Sequence, residues 1–352
     1  MKTRLLALIM LLPFLAFGQQ YKLITATESN LTISIQTPDF ETYTVSTPQG
    51  DAFIVNAPKA MNRADVGEPD LPMFVIPTIV GDQALMQVEI VEATFEDYEN
   101  MNIAPSKGDF PRSINPEDVP YTYSDTYQRN AFFPNQLAYL DEPYIHRDVR
   151  GQNIIVNPYT YNPITKTLRV YTHLVLNMVN IGKDDRNIIE NRSKSFVLDP
   201  EFKTMYEHRY INYKESMSKY TPIEENGELL IICHDAFMNA MEPFVAWKKQ
   251  IGRPTTMVGT SETGNNATTI KSYIENYYAT HPQLTDILLV GDVAQIPGVY
   301  ISAGSGYYGY SGYGDVQYGQ TAGNDYYNEL IVGRLCCDNE AQVINHVNKV
   351  FN

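Results

Sequence analysis

The sequence predicts two units in tandem, an all-β half followed by an α/β half whose parallel sheet is flanked by helices. Three observations predict it. A chain of 352 residues is too long for one ordinary domain and comfortable for two. Up to about Leu198 the apolar residues alternate with period two, and from Glu228 onward they fall in unbroken short runs separated by helical patterns. Between the regimes lies a charged passage, 195–228, which has the composition of a linker.

The elements follow in chain order. The first residues, "MKTRLLALIMLLPFLAFGQQ", carry Lys2 and Arg4, then an apolar run too short to cross a bilayer, then the small residues Ala16 and Gly18. These are the parts of a secretory signal peptide, 1–18, and they predict a secreted or cell-surface protein. "LTISIQT" (31–37), "TYTVST" (42–47), "ALMQVEIVEATF" (84–95) and "TLRVYTHLVLNMVNI" (167–181) read as half-buried antiparallel strands, so this half is expected to be a β-sandwich. "NPITKT" (162–167) reads as a hairpin turn, because Asn-Pro initiates turns and leaves no ladder donor. The passage 195–219 is expected to be exposed. "ELLIIC" (228–233) then has no alternation, as expected of a strand covered on both faces. A helix is predicted over 239–252, with Asn239 as its cap, Pro243 in its first turn and Gly252 as its stop. A strand at 255–260, a helix from Asn266, a strand at 286–292, a strand at 328–336 and a helix at 339–352 complete a parallel-sheet pattern. The irregular stretch 302–327 interrupts it with a tyrosine-glycine run at 306–320, suited to stacking against sugars or peptides or to forming a surface loop.

The formal charge of −15 argues against nucleic acid and anionic membranes as partners. Cys233, Cys336 and Cys337 are too few for a disulfide framework, and an adjacent pair bonds only in a strained ring. Bound cations are a recurring alternative source of stability in such proteins, so acidic clusters draw notice. Asp292 ends an apolar strand, where α/β sheets place their sites, although turn acids and helix caps are common there. Asp325 and Glu329, four apart, share a face with Tyr327 if extended. Cys233 and His234 are neighbours in a strand and point to opposite faces, which fits inert core better than a catalytic pair. His146, His173, His208 and His281 have no metal-ligand spacing, and no GxSxG, HExxH or P-loop occurs.

"LLVGD" (288–292), "YGQ" (318–320), "GNDYYNE" (323–329) and "VGR" (332–334), in that order and spacing, resemble the gingipain-type cysteine peptidases. "KYTPIEE" (219–225) resembles their propeptide junction, and "GEPDLP" (67–72) and "YNPITKTLRVYT" (161–172) resemble stretches of their propeptide. The resemblance implies a β-sandwich propeptide over 19–219 that assists folding and blocks the active site, cut at Lys219-Tyr220. It also implies a caspase-like α/β peptidase domain from 220, of which 220–352 is the first subdomain. The family's His and Cys dyad is expected beyond Asn352, since none of the three cysteines matches the nucleophile, so these residues alone are expected to be inactive. The resemblance further implies a structural Ca²⁺ held by Asp292, the carbonyls of Ala322 and Tyr327, Asp325 and Glu329. It makes Arg147 and Arg150, in "HRDVRGQ", candidates for an inhibitory loop that mimics substrate. Expected partners are protein or peptide substrates and the propeptide's own catalytic domain. The contrasting reading is a secreted binding or protease-inhibitory protein without catalysis.

Overall fold

A computed structural model describes residues 21–27, 29–110, 112–190, 196–302 and 311–351. The expected signal peptide and part of the tyrosine-glycine run, 303–310, lie outside the described residues. The first half is built of strands: β1 (Tyr21–Ala26), β2 (Asn30–Gln36), β3 (Glu41–Thr47), β4 (Gly50–Asn56), β5 (Met61–Asn62), β6 (Pro72–Ile79), β7 (Ala84–Tyr98), β8 (Ala138–Leu140), β9 (Tyr144–His146), β10 (Val149–Val156), β11 (Tyr159–Asn162) and β12 (Thr167–Lys183). One five-stranded sheet runs β1-β2-β12-β11 with β7 along the other side of β12, and a second runs β5-β6-β10-β8 with β9 also on β10. Strands β3 and β4 form a hairpin of their own.

Alternation puts Leu31, Ile33 and Ile35 of β2 inward, and the same rule does so for Phe74 and Ile76 of β6. These side chains meet Leu174, Leu176 and Met178 of β12 and Ile154 and Val156 of β10 in one core, which makes the two sheets a sandwich. Each such side chain contributes roughly 1.5–3 kcal/mol when fully buried. The turn between β11 and β12 closes as expected: the Asn162 side-chain oxygen accepts from the amides of Ile164 and Thr165.

The charged passage is not the exposed linker expected of 195–219. It contains β13 (Val197–Leu198), α1 (Pro200–Arg209) and α2 (Tyr213–Met217), followed by β14 (Ile223–Glu224), which pairs with β13 in parallel. Asp199 caps α1, accepting from Glu201 and Phe202, while Pro200 occupies the first helical position. Phe202, Tyr206, Tyr210 and Tyr213 are buried with Leu198, Tyr144 and Val149, and Tyr327 and Ile331 of the second half pack against them. Phe202 and Tyr206 are four apart on one face of α1, Tyr210 and Tyr213 follow at its end and at the start of α2, and the charges between them disguised the pattern.

In the second half, β15 (Glu228–Cys233), α3 (Met238–Gln250), β16 (Thr255–Gly259), α4 (Thr260–Thr263), α5 (Ala267–Thr280), β17 (Leu284–Val290), the hairpin β18 (Val299–Ser302) and β19 (Ser311–Gly314), β20 (Ile331–Leu335) and α6 (Glu340–Phe351) follow in turn. The sheet order is β16-β15-β17-β20, and every pair is parallel. Alternate residues of β15 feed the two faces. Leu229, Ile231 and Cys233 pack on α3 and α6, and Leu230 and Ile232 pack on α5. Pro243 lies in the second turn of α3, because the helix starts at Met238 after a 3-10 turn, one residue before the expected cap Asn239. Asn266 caps α5 as expected, accepting from the Thr269 amide.

Candidate functional site

The acidic turn before β20 is held against β17 and α5. The amides of Glu329 and Leu330 both donate to the Gly319 carbonyl, closing 319–330 into a loop. Gly323 sits at φ +75°, a backbone conformation that favours glycine, and a Cβ there would lie 2.6 Å from Asp325 Oδ2. Glu329 is completely buried. Its Oε2 accepts from the amides of Thr321 (2.6 Å) and Ala322 (2.8 Å), while its Oε1 is buried without a hydrogen-bond partner. Asp325 Oδ1 accepts from the Tyr327 amide (2.8 Å) and Oδ2 from the Ile145 amide (2.9 Å).

Burial pushes the Glu329 carboxyl up to about 7, with the Ala322 and Thr321 amides opposing and the nearby Asp325 charge adding to the rise. Burial raises Asp325 as well. A fully buried carboxylate with an idle oxygen, near the half-buried Asp325 carboxylate, is costly unless a positive charge joins it. Among the described residues no group of three or more His, Cys, Asp or Glu gathers, so a hard cation here needs backbone carbonyls in addition. The Ala322 and Tyr327 carbonyls belong to the same turn. Carboxylate and carbonyl oxygens are the donor types a hard cation such as Ca²⁺ takes.

Asp292 is not part of it. Strand register places Asp286 opposite Ile331 and Val290 opposite Leu335. Glu329 therefore lies at the amino end of the sheet and Asp292 at the carboxyl end, on the order of 20 Å apart at about 3.3 Å per strand residue. Asp292 is a turn residue: its amide donates to Cys337 O and Gln295 Oε1, and its carbonyl accepts from Gln295 and Ile296. The expected five-residue set reduces to four.

The two arginines proposed for an inhibitory loop do other work. Arg150 is fully buried inside the sandwich, donating to the carbonyls of Gly81, Ala84, Arg186 and Asn187 and pairing with Asp184 at 3.2 Å. It fixes loops of its own half. Arg147, in the β9–β10 turn with φ +49°, reaches the other half, but at the amino end of the sheet. Its guanidinium donates to the carbonyls of Leu284, Pro282 (2.9 Å) and Glu329 (3.3 Å) and lies over the rings of Phe202 and Tyr278. Sites in open α/β sheets form at the carboxyl ends, so an arginine docked here does not mimic a substrate in such a site.

Around Arg147 the two halves share further contacts that the sequence did not reveal. Tyr144 stacks on Tyr327 with ring centroids 3.5 Å apart and planes 8° from parallel. Asn153 and Arg209 both donate to the Tyr327 hydroxyl, and the Asn324 amide donates to Asn187 Oδ1 at 2.8 Å. Burial pushes His146, packed among Tyr206, Tyr210 and Tyr327, down to about 4.

Two of the three cysteines, Cys233 and Cys337, behave as core. Cys233 is buried, its thiol donates to the His234 carbonyl, and burial pushes it up to about 12. Cys337 is buried and also raised, whereas Cys336 is exposed. Lys219 is exposed between α2 and β14, and Tyr220 is half-buried with its ring against Phe196. No helix among the described residues is long and apolar enough to cross a membrane.

A strand-rich sandwich docked on a parallel α/β sheet, with Cys233 and Cys337 buried, is the arrangement expected of a prosegment joined to part of an α/β peptidase domain. The Propeptide_C25 family matches residues 19–206 and peptidase family C25 matches residues 223–352. The chain belongs to the C25 family of gingipain-type cysteine peptidases. It is 32% identical to gingipain R1 of Porphyromonas gingivalis over 97% of its own length and 34% of that protein's. It is also 32% identical to gingipain R2 of P. gingivalis W83, over 95% of this chain and 44% of the relative. It thus spans less than half the length of these relatives. A solved complex of the pro- and mature domains of P. gingivalis RgpB matches with TM-score 0.50 at 32% identity, over 55% of this chain and 98% of that one.

Proposed function

We propose that the chain is the front part of a secreted cysteine-endopeptidase precursor. Residues 19–219 are the inhibitory and folding-assisting prosegment, and 220–352 are the first subdomain of the peptidase. The family membership supports the reaction class. In that class a cysteine thiolate attacks the scissile carbonyl and a histidine protonates the leaving amine. The buried, raised thiols of Cys233 and Cys337 support placing that dyad beyond Asn352, so residues 1–352 alone are expected to cleave nothing. A coding sequence that continues past Asn352 without a further His and Cys at strand ends refutes this reading.

Maturation is assigned to the Lys219-Tyr220 bond, which lies between α2 and β14 with Lys219 exposed and Tyr220 half-buried. N-terminal sequencing of the secreted mature protein tests it: Tyr220 is expected, and a start tens of residues away overturns it.

Ca²⁺ is assigned a structural role, held by Asp325, Glu329 and the carbonyls of Ala322 and Tyr327. The idle, buried Glu329 Oε1 carries this reading. When bound, the ion neutralises the two carboxylates and ties the turn to the sheet; the chain's own amides at 321 and 322 orient Glu329 for it. Adding Ca²⁺ is expected to raise the melting temperature, and Glu329→Gln is expected to abolish the rise. An unchanged melting temperature in protein that binds no calcium by metal analysis contradicts the assignment.

A further inference from the structure

The turn assigned to the cation is also the turn the prosegment grips. Within six residues, Asn324 N donates to Asn187 Oδ1, Asp325 Oδ2 accepts from Ile145 N, Tyr327 stacks under Tyr144, and Glu329 O accepts from Arg147. All four partners come from the N-terminal half. Asp325 and Glu329, which carries the idle oxygen, are thus positioned from across the interface as well as from within their own loop.

We propose that prosegment docking and divalent-cation binding at 322–329 reinforce each other. The inference rests on the cation reading above and goes beyond it. An ionised carboxylate offers about four acceptor positions, so the Ile145 amide occupies one at Asp325 and leaves others for a metal. What the amide, the Asn187 oxygen and the Tyr144 ring supply is order: they fix a turn whose carboxylates repel each other. Whichever partner binds first bears the ordering of the turn, and the second meets it already shaped. The coupling is reciprocal, so the cation must tighten the prosegment by the same factor that the prosegment tightens the cation. Loss of the cation then loosens the prosegment, and departure of the prosegment weakens the metal site.

Calorimetric titration of the full chain with Ca²⁺ tests this, using variants that alter no assigned ligand. Asn187→Gly keeps the positive-φ backbone (φ +42°) and removes the acceptor for Asn324. Ile145→Pro removes the amide to Asp325. Each is expected to weaken Ca²⁺ binding about tenfold, within the usual range of coupling between sites. Glu329→Gln should abolish binding. If wild-type protein takes up Ca²⁺, Glu329→Gln does not, and both prosegment variants bind as wild type, the coupling is refuted while the metal reading survives. Absence of any binding to wild type refutes both. Should Ile145→Pro fail to fold by circular dichroism, Asn187→Gly decides alone. As the reciprocal arm, in chain opened at Lys219-Tyr220 the prosegment is expected to dissociate about tenfold more slowly in Ca²⁺ than in chelator. Equal rates overturn the proposal.

Discussion

Replacing Arg147 with alanine is expected to loosen the two halves without unfolding either. The side chain is 4% exposed, and its guanidinium donates to Leu284 O, Pro282 O and, at a longer 3.3 Å, Glu329 O. A hydrogen bond from a charged donor contributes about 1.5–3 kcal/mol, so the two shorter ones together give roughly 3–6 kcal/mol before any replacement by water. At about 1.4 kcal/mol per factor of ten, the prosegment should bind roughly 10²–10⁴-fold more weakly. Alanine meets the same left-handed backbone as arginine there, so strain does not change between the two. The assay is surface plasmon resonance on chain opened at Lys219-Tyr220, with immobilised prosegment and soluble 220–352, at fixed salt. Arg147→Lys, which retains the charge but has no planar fork, is expected to recover part of the affinity. A dissociation constant for Arg147→Ala within threefold of wild type would show that this arginine is not an anchor, and the interface argument would fail with it.

Arg150→Ala acts elsewhere: it removes the buried donors to four carbonyls and leaves Asp184 with Arg186 as its remaining arginine, costing about 3–5 kcal/mol of sandwich stability, and a melting temperature lowered by less than a few degrees refutes it. Burial raises Asp70 to about 6 despite the Asn62 hydrogen bond, so the folded state holds an extra proton between the unfolded value of 3.8 and about 6. Stability from this group is therefore lost as pH rises through that window and is flat above it. Asp70→Asn should gain up to about 3 kcal/mol on wild type between pH 4 and pH 7 in urea unfolding; parallel pH profiles contradict the assignment. A thiol reagent should label Cys336 rapidly in native protein and Cys233 and Cys337 only after denaturation, since both are buried with raised thiols. Fast reaction of Cys233 ends the view that it is inert.

Much of the fold was legible because it rests on short-range periodicity. Alternation in "LTISIQT" selects the inward face of β2, and the unbroken "ELLIIC" announces a strand covered on both sides, as β15 is. Asn162 and Asn266 act locally, as turn and cap, and were found for that reason. The errors share one cause, distance along the chain. Asp292 was grouped with Asp325 and Glu329 by motif order, but a parallel sheet sends the two segments to opposite ends. The passage 195–219 looked polar because its buried tyrosines carry hydroxyls and stand between charges, and their burial depends on β9 and on Tyr327.

The sequence by itself determined the two halves, the family, the strand faces and the acidic turn, because period, turn chemistry and ordered motifs are properties of neighbours. Only the tertiary structure decided that Arg150 braces its own sandwich, that Arg147 crosses to the sheet's amino end, and that Glu329 has an oxygen to spare. Those facts depend on which distant backbone groups reach a buried side chain, and hydrogen bonds of 2.5–3.3 Å cannot be read from residues 137 or 182 positions apart.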